Sequence, residues 1–217
     1  MKRVKSKVAM LSQKIIANVS PEFAKAYQLP EDHQSVGFFS TDNDDVGYLA
    51  VDDATKKANI KVIHAATFYG GKDCAWSKYG GSVFIIFSGP KVADVKSGMA
   101  YVRDFIENQA ELYTFDGDDS LAYYAQCIPR TGKYFHEWLG IEEGMAYAYL
   151  VGGPIETNYA LDKALKAGDT RIAKYWAPPT HANSSGAVLT GTESACRAAT
   201  SAFIDALAYA IENPMAI

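Results

Sequence analysis

AVDDATKKANIKV, residues 50–62, and ALDKALKAGDTRI, residues 160–172, decide how this chain folds. A shift of 110 pairs Ala50 with Ala160, Asp52 with Asp162, Ala54 with Ala164 and Lys56 with Lys166, then Asn59 with Asp169, Lys61 with Arg171 and Val62 with Ile172. Self-similarity at a fixed period marks a repeated structural unit. The same shift carries Leu29 onto Leu139 and lays the strand-like VGFFS of 36–40 on AYAYL of 146–150. Further on, Gly89 matches Gly191, a shift of 102, so the first half holds eight extra residues. They fall in ATFYGGKDCAWSKYGG, 66–81, where glycines and aromatics replace any periodic pattern.

Each half reads as strands and helices in the same order. Val83–Phe87 is an apolar run between Gly81 and Gly89, which predicts a buried strand. Pro90 then suits a first helical turn, and Val92, Val95, Met99, Val102 and Ile106 recur at three and four residues as one helix face. Its counterpart, 192–211, starts at Thr192 and turns Ala195, Ala199, Ala202, Phe203, Ala206 and Ala210 inward. Strand runs with helices on one face predict an α+β sandwich built twice, with domains at 1–109 and 110–217.

The bulk numbers exclude several classes. With 217 residues, 48% of them hydrophobic and 21% charged, the chain is globular rather than disordered. A net charge of −4 offers no basic field for phosphates, so no nucleic acid is expected as a partner. No apolar run reaches the roughly 18 residues a membrane span needs, and the basic start, MKRVKSK, leads into Gln13 and Lys14 rather than a signal-peptide core. A cytosolic chain is the expectation. Cys74, Cys127 and Cys196 are odd in number and far apart, as reduced thiols would be, although Cys127 and Cys196 share the second half and a redox-sensitive pair is the alternative. His33, His64, His136 and His181 lack metal-ligand spacing, and no nucleophile elbow, P-loop or dinucleotide fingerprint occurs. Neither catalysis, nor a metal, nor a cofactor is expected.

The segment FFSTDNDDVGY, 38–48, crowds Asp42, Asp44 and Asp45 between two apolar runs. A calcium loop would need an acid or amide at Val46, and adjacent acids do not make a glycosidase pair. A turn fits better.

Asp52-x-x-x-Lys56-x-Ala58-Asn59-Ile60 and Asp162-x-x-x-Lys166 resemble the helix signature of bacterial microcompartment shell domains. SVGFFSTDNDDVGYLAVDDATKKA, YYAQCIPRTGKY, AYLVGGPIETNYALDKALKA, APPTHANSSGAVLTG and ACRAA look like the EutL family, the large-pore shell proteins of ethanolamine-utilising compartments. The resemblance runs over about residues 10–214. It implies two circularly permuted shell domains of ferredoxin-like α/β sandwich type, a homotrimer forming a pseudohexameric tile, and edge-to-edge packing with other shell proteins. It further implies a central pore loop bearing Phe68, Tyr69, Gly70, Gly71, Trp76 and Tyr79, open or shut. Small pores would be bordered by Asp44, Asp45, Ser82, Leu112, Thr180 and Asn183, with small metabolites such as an amine as their ligands. Lys56 and Lys166, on exposed helix positions, would lie at the tile edge. Where many relatives have Gly-Glu-Val this chain has Gly81-Ser82-Val83, and Leu112 takes an aromatic position, which weakens an amine contact. The rival expectation is a soluble regulator that binds a small ligand.

Overall fold

The computed structural model describes residues 1–68, 81–178, 180 and 184–216. The chain divides into two compact units, one of residues 7–110 with 132–134, the other of 1–6, 111–131 and 135–217. Strand β1 (Arg3–Lys5) belongs to the latter.

The first of these units contains β2 (Met10–Ile16), α1 (Pro21–Ala26), β3 (Ser35–Thr41), α2 (Asp44–Thr55), β4 (Lys61–Phe68), β5 (Ser82–Gly89) and α3 (Val92–Asp104), closed by a π-helical turn at Phe105–Gln109. Its sheet is antiparallel in the order β2-β3-β5-β4. Alternation along the strands separates two faces. Phe39 pairs with Ile85 and Gly37 with Phe87 on the face beneath α2 and α3, whose Leu49, Ala50, Ala54, Val95 and Val102 are buried. A Cβ at Gly37 would lie 2.6 Å from Cζ of Phe87, so glycine makes room for that ring. Phe38 points the other way, where Phe23 of α1 meets it edge-on at 5.9 Å.

The other unit adds β6 (Leu112–Phe115), β7 (Asp118–Ile128), α4 (Lys133–Leu139, whose first two residues belong to the preceding unit), β8 (Ala146–Gly152), α5 (Pro154–Ala167), β9 (Thr170–Trp176), β10 (Ser185–Gly191) and α6 (Glu193–Glu212). The sheet order is β1-β6-β7-β8-β10-β9. Its last four strands repeat the β2-β3-β5-β4 arrangement, and β6 and β1 extend it beyond β7. Asp116 and Gly117, both at positive φ, make the tight β6–β7 turn. Ala148, Leu150, Ala187 and Leu189 meet Ala160, Ala164, Cys196, Ala199, Phe203 and Leu207 in one core. On the opposite face Phe135 lies 6.2 Å from Tyr149.

The twofold α+β construction expected from the sequence is present, with four local differences. Ser35 faces Gly89 and Ala146 faces Gly191 across their sheets, so the first strands correspond by a shift of 111, not 110. A one-residue change of register exchanges the two faces of a strand, and this one puts Phe39 with Leu150 in the cores. The helix predicted to include Pro90 starts at Val92, with Lys91 as its N-cap. In α6 the core stripe is Cys196, Ala199, Phe203, Ala206 and Leu207, whereas Ala195, Ala202 and Ala210 sit half-buried at its flanks. Residues 66–68, placed in a loop by composition, continue β4, where Ala66, Thr67 and Phe68 pair with Phe84, Val83 and Ser82.

Candidate functional site

The acidic stretch is the entry to α2. Asn43 is its N-cap, and the side-chain Oδ1 accepts the Val46 N–H at 2.9 Å. That places Asp44 and Asp45 in the first turn, where the helix N-terminus favours negative charge. Asp42 stands outside the helix and accepts the Ala9 N–H at 2.8 Å. Burial pushes its carboxyl above the ordinary aspartate range.

Asp44 anchors a chain of hydroxyls. Thr67 donates its Oγ1 hydrogen to Asp44 Oδ2 at 2.8 Å. Since that hydroxyl has one proton, Tyr48, 2.9 Å away, donates to Thr67 in turn. Burial pushes the Tyr48 phenol up, which keeps it a donor. The Asp44 N–H reaches the Gly81 carbonyl at 3.0 Å, which ties the helix entry to the start of β5. Next along β5, Ser82 is fully buried and its Oγ has no hydrogen-bond partner among the described residues. A buried hydroxyl without a partner costs roughly 1–3 kcal/mol. Acid and hydroxyl relay gather where β4, β5 and α2 meet, an arrangement able to bind a small polar group by hydrogen bonds rather than to perform covalent chemistry. Ser82, by contrast, pairs with Phe68, out of step with Thr67 and Val83, and turns its hydroxyl to the opposite face of the sheet.

Of the residues expected around small pores, the structure places Asp44 in this relay with Asp45 beside it in the helix, while Ser82 follows Gly81 on β5 with its side chain on the opposite face from Thr67. Leu112 belongs to the other unit, buried in β6 opposite Tyr124. Thr180, also there, pairs with Ser184, its Oγ1 accepting the Ser184 N–H at 3.1 Å and its own N–H reaching the Ser184 carbonyl at 3.1 Å. Asn183 and His181 lie outside the described residues, as do Cys74 and the pore-loop residues Tyr69, Gly70, Gly71, Trp76 and Tyr79. Phe68 ends β4 and is 37% exposed. Thr67 and Tyr48 were not foreseen, although Tyr48 lies one helical turn after Asp44.

The two lysines differ. Lys56 does not lie on an exposed helix face: it is the C-cap of α2, its ammonium sits 3.6 Å from Asp52 and 3.4 Å from Asp53, and its side chain is 10% exposed. Lys166 pairs with Asp162 at 2.6 Å and is 69% exposed, as expected.

Among the described residues the remaining titratable groups form no reactive centre. His33 Nδ1 lies 2.6 Å from Ser88 Oγ, with Asp32 3.9 Å from Nε2, yet Ser88 is fully buried and no substrate could reach it. Burial holds the His33 imidazole below its ordinary value. Cys127 and Cys196 are both free thiols, and burial pushes Cys127 up to about 11 with the Cys196 thiol as a second cause, so neither is activated. Among the described residues no cluster of metal-ligating side chains occurs, and no helix is long and apolar enough to cross a membrane.

Comparison with known proteins agrees with this architecture. Residues 35–115 match the family described as the BMC domain. The bacterial microcompartment shell protein EutL of Clostridium perfringens is 47% identical over 206 residues, covering 95% of both chains. The protein of that name from Escherichia coli is 38% identical over 207 residues, covering 95% of this chain and 94% of its own. The crystal structure of ethanolamine utilization protein EutL from Leptotrichia buccalis superposes with a TM-score of 0.93 at 46% identity, covering 100% of each chain. Such identity along almost the whole length leaves one conclusion: the chain belongs to the EutL family of bacterial microcompartment shell proteins, which are structural rather than catalytic.

Proposed function

We propose that three copies of this shell protein close into a pseudohexameric tile whose pores pass small metabolites, and that it serves an ethanolamine-type compartment. The observation that supports this most is the doubled β2-β3-β5-β4 arrangement within one chain. A ring of three such chains presents six similar units while allowing two chemically different versions. The segment from Phe68 to Gly81 is the central-pore loop in this reading, with Tyr69, Gly70, Gly71, Trp76 and Tyr79 on it. Asp44, Thr67 and Tyr48 form the first-unit part of a small-pore site in this reading, to which Asp45, Ser82, Leu112, Thr180 and Asn183 would contribute. Ser82 offers a neutral hydroxyl to a small amine or alcohol, a weaker contact than a carboxylate would give an ammonium group. Lys166 remains an edge residue here, whereas Lys56 is too enclosed by Asp52 and Asp53 to serve.

Sedimentation velocity on the purified chain, followed by negative-stain imaging, tests this. A species of three 23.6 kDa chains that tiles into hexagonal sheets is expected. A monomer that never assembles overturns it.

A further inference from the structure

Gly132, Lys133 and Tyr134 belong to the unit that contains α2, although Thr131 before them and Phe135 after them belong to the other. They close over the C-terminal half of α2. The Gly132 N–H donates to Asp52 Oδ2 at 3.0 Å and the Lys133 N–H to Thr55 Oγ1 at 3.0 Å. Burial raises the Tyr134 phenol, with the charges of Tyr48 and Asp52, both on α2, as the next causes. Under this cover the Asp52 side chain is wholly buried and that of Lys56 is 10% exposed.

The repeat supplies the corresponding surface without its cover. Asp52, Thr55 and Lys56 correspond to Asp162, Leu165 and Lys166 of α5, where Asp162 is 56% and Lys166 69% exposed. The corresponding cover is also present elsewhere. Phe23 meets Phe38 edge-on at 5.9 Å and Phe135 stacks on Tyr149 at 6.2 Å, and Phe38 and Tyr149 hold equivalent places in their sheets. Aligning Phe23 with Phe135 puts Ser20, Pro21 and Glu22 where Gly132, Lys133 and Tyr134 stand. Pro21 and Glu22 are exposed.

We propose that Ser20, Pro21 and Glu22 of one copy dock on the C-terminal half of α5 of the next copy, over Asp162, Leu165 and Lys166. Two substitutions between the repeats support the match. Where Lys133 donates its N–H to Thr55, the second pairing joins Pro21, which has no N–H, to Leu165, which has no acceptor side chain. Exchanging both partners of a hydrogen bond for apolar groups is close to neutral, whereas exchanging one is costly. Glu22 replaces Tyr134 and brings a carboxylate toward Lys166 and the exposed Lys163, a complementary charge. The junction is not an atom-for-atom copy. A Cβ on Gly132 would fall 2.3 Å from the Asp52 carbonyl oxygen, and Ser20 carries a Cβ, so its segment stands further from the helix. Each copy offers one cover and one uncovered α5, a head-to-tail contact that forms a ring when the rotation closes.

The inference rests on the proposed three-copy tile, and one experiment separates them. A Glu22→Cys, Asp162→Cys double variant is prepared as a mixture of 15N-labelled and unlabelled chains, oxidised with oxidised glutathione, and compared with each single variant. Sedimentation before oxidation reports assembly. The expected result is a three-chain species, a ladder on non-reducing gels that ends at three chains, and mixed-isotope peptides joining 22 to 162. A three-chain species in which that disulfide is absent, or joins residues of one chain only, overturns this contact and leaves the tile standing. A monomer in sedimentation overturns the tile and this contact together.

Discussion

Replacing Thr67 by valine preserves shape and removes the hydroxyl that accepts from Tyr48 and donates to Asp44. The two losses differ in size. A hydrogen bond to a charged group contributes roughly 1.5–3 kcal/mol, but Asp44 is half-exposed and water replaces part of it, leaving about 1 kcal/mol. The Tyr48 hydroxyl sits on a residue only 9% exposed, and losing its Thr67 partner costs about 1–2 kcal/mol. The sum, about 2–3 kcal/mol, lowers a urea midpoint by about 1 M for a typical slope of about 2 kcal/mol per molar. Unfolding is followed by far-UV circular dichroism at one fixed protein concentration, because any assembly would add a concentration term. The diagnostic step is Tyr48→Phe. In the wild-type background it removes one hydrogen bond. In the Thr67→Val background that hydrogen bond is already gone, so it should cost less than in the wild type. Additive costs of the two substitutions, or a loss below about 0.5 kcal/mol for Thr67→Val, would show that the relay is not formed.

Three further outcomes follow from other parts of the molecule. Gly132→Ala drives a methyl to within 2.3 Å of the Asp52 carbonyl oxygen and 2.6 Å of the Thr55 hydroxyl, so the chain should lose about 3 kcal/mol or more, seen as a fall in Tm; a wild-type Tm would refute the close packing of 132–134 on α2. Cys127, pushed up to about 11, should remain unmodified by iodoacetamide at pH 8 under conditions that alkylate a free cysteine peptide, read by mass spectrometry; rapid alkylation would contradict its burial. The folded-state value of His33 is depressed by burial, so the unfolded chain binds more protons once pH falls below the ordinary histidine value of about 6.5. Its contribution is therefore present above that pH and lost as pH falls toward the depressed value, and His33→Gln should flatten urea stability across that interval.

The repeat, the α+β class and the order of strands and helices were legible because each depends on local periodicity and on residues in fixed register. The acidic stretch was read as a turn, whereas Asp44 and Asp45 open α2 and only Asp42 precedes it, and the capping by Asn43 follows from the ordinary chemistry of that residue at a helix start. The errors arise where distant residues decide the outcome. Lys56 occupies a helix position that periodicity leaves open, yet Asp52 and Asp53 hold its ammonium, and Gly132 closes over Asp52 from 80 residues further along the chain. The shift of 111 in the first strands was hidden because the helices keep 110, and only the pairing of Ser35 with Gly89 and of Ala146 with Gly191 exposes the difference. Thr67 could not be assigned a role from sequence, since its value comes from β4 passing beside the start of α2.

What duplication permits is visible at the two helix entries. In the first unit Asn43, Asp44 and Asp45 open α2, with an amide cap and two acids. The equivalent residues of the second are Gly153, Pro154 and Ile155, with no side-chain cap and an Ile155 that is 80% exposed. A ring assembled from six identical units would carry either acids or an apolar residue at all six positions. Two diverged units alternate them, so that each acidic entry has an apolar counterpart elsewhere in its own chain. The same logic applies at the covers of the helices. Gly132 can approach Asp52 closely because it has no side chain, and that junction, formed within one chain, is present at every folding event. Pro21 and Leu165 suit a junction formed after folding, since apolar surfaces left bare on a single chain do not strand a donor or acceptor there. Divergence has thus put hydrogen bonds where the chain itself supplies both partners, and apolar contact with exposed charge where the partner must arrive from solution.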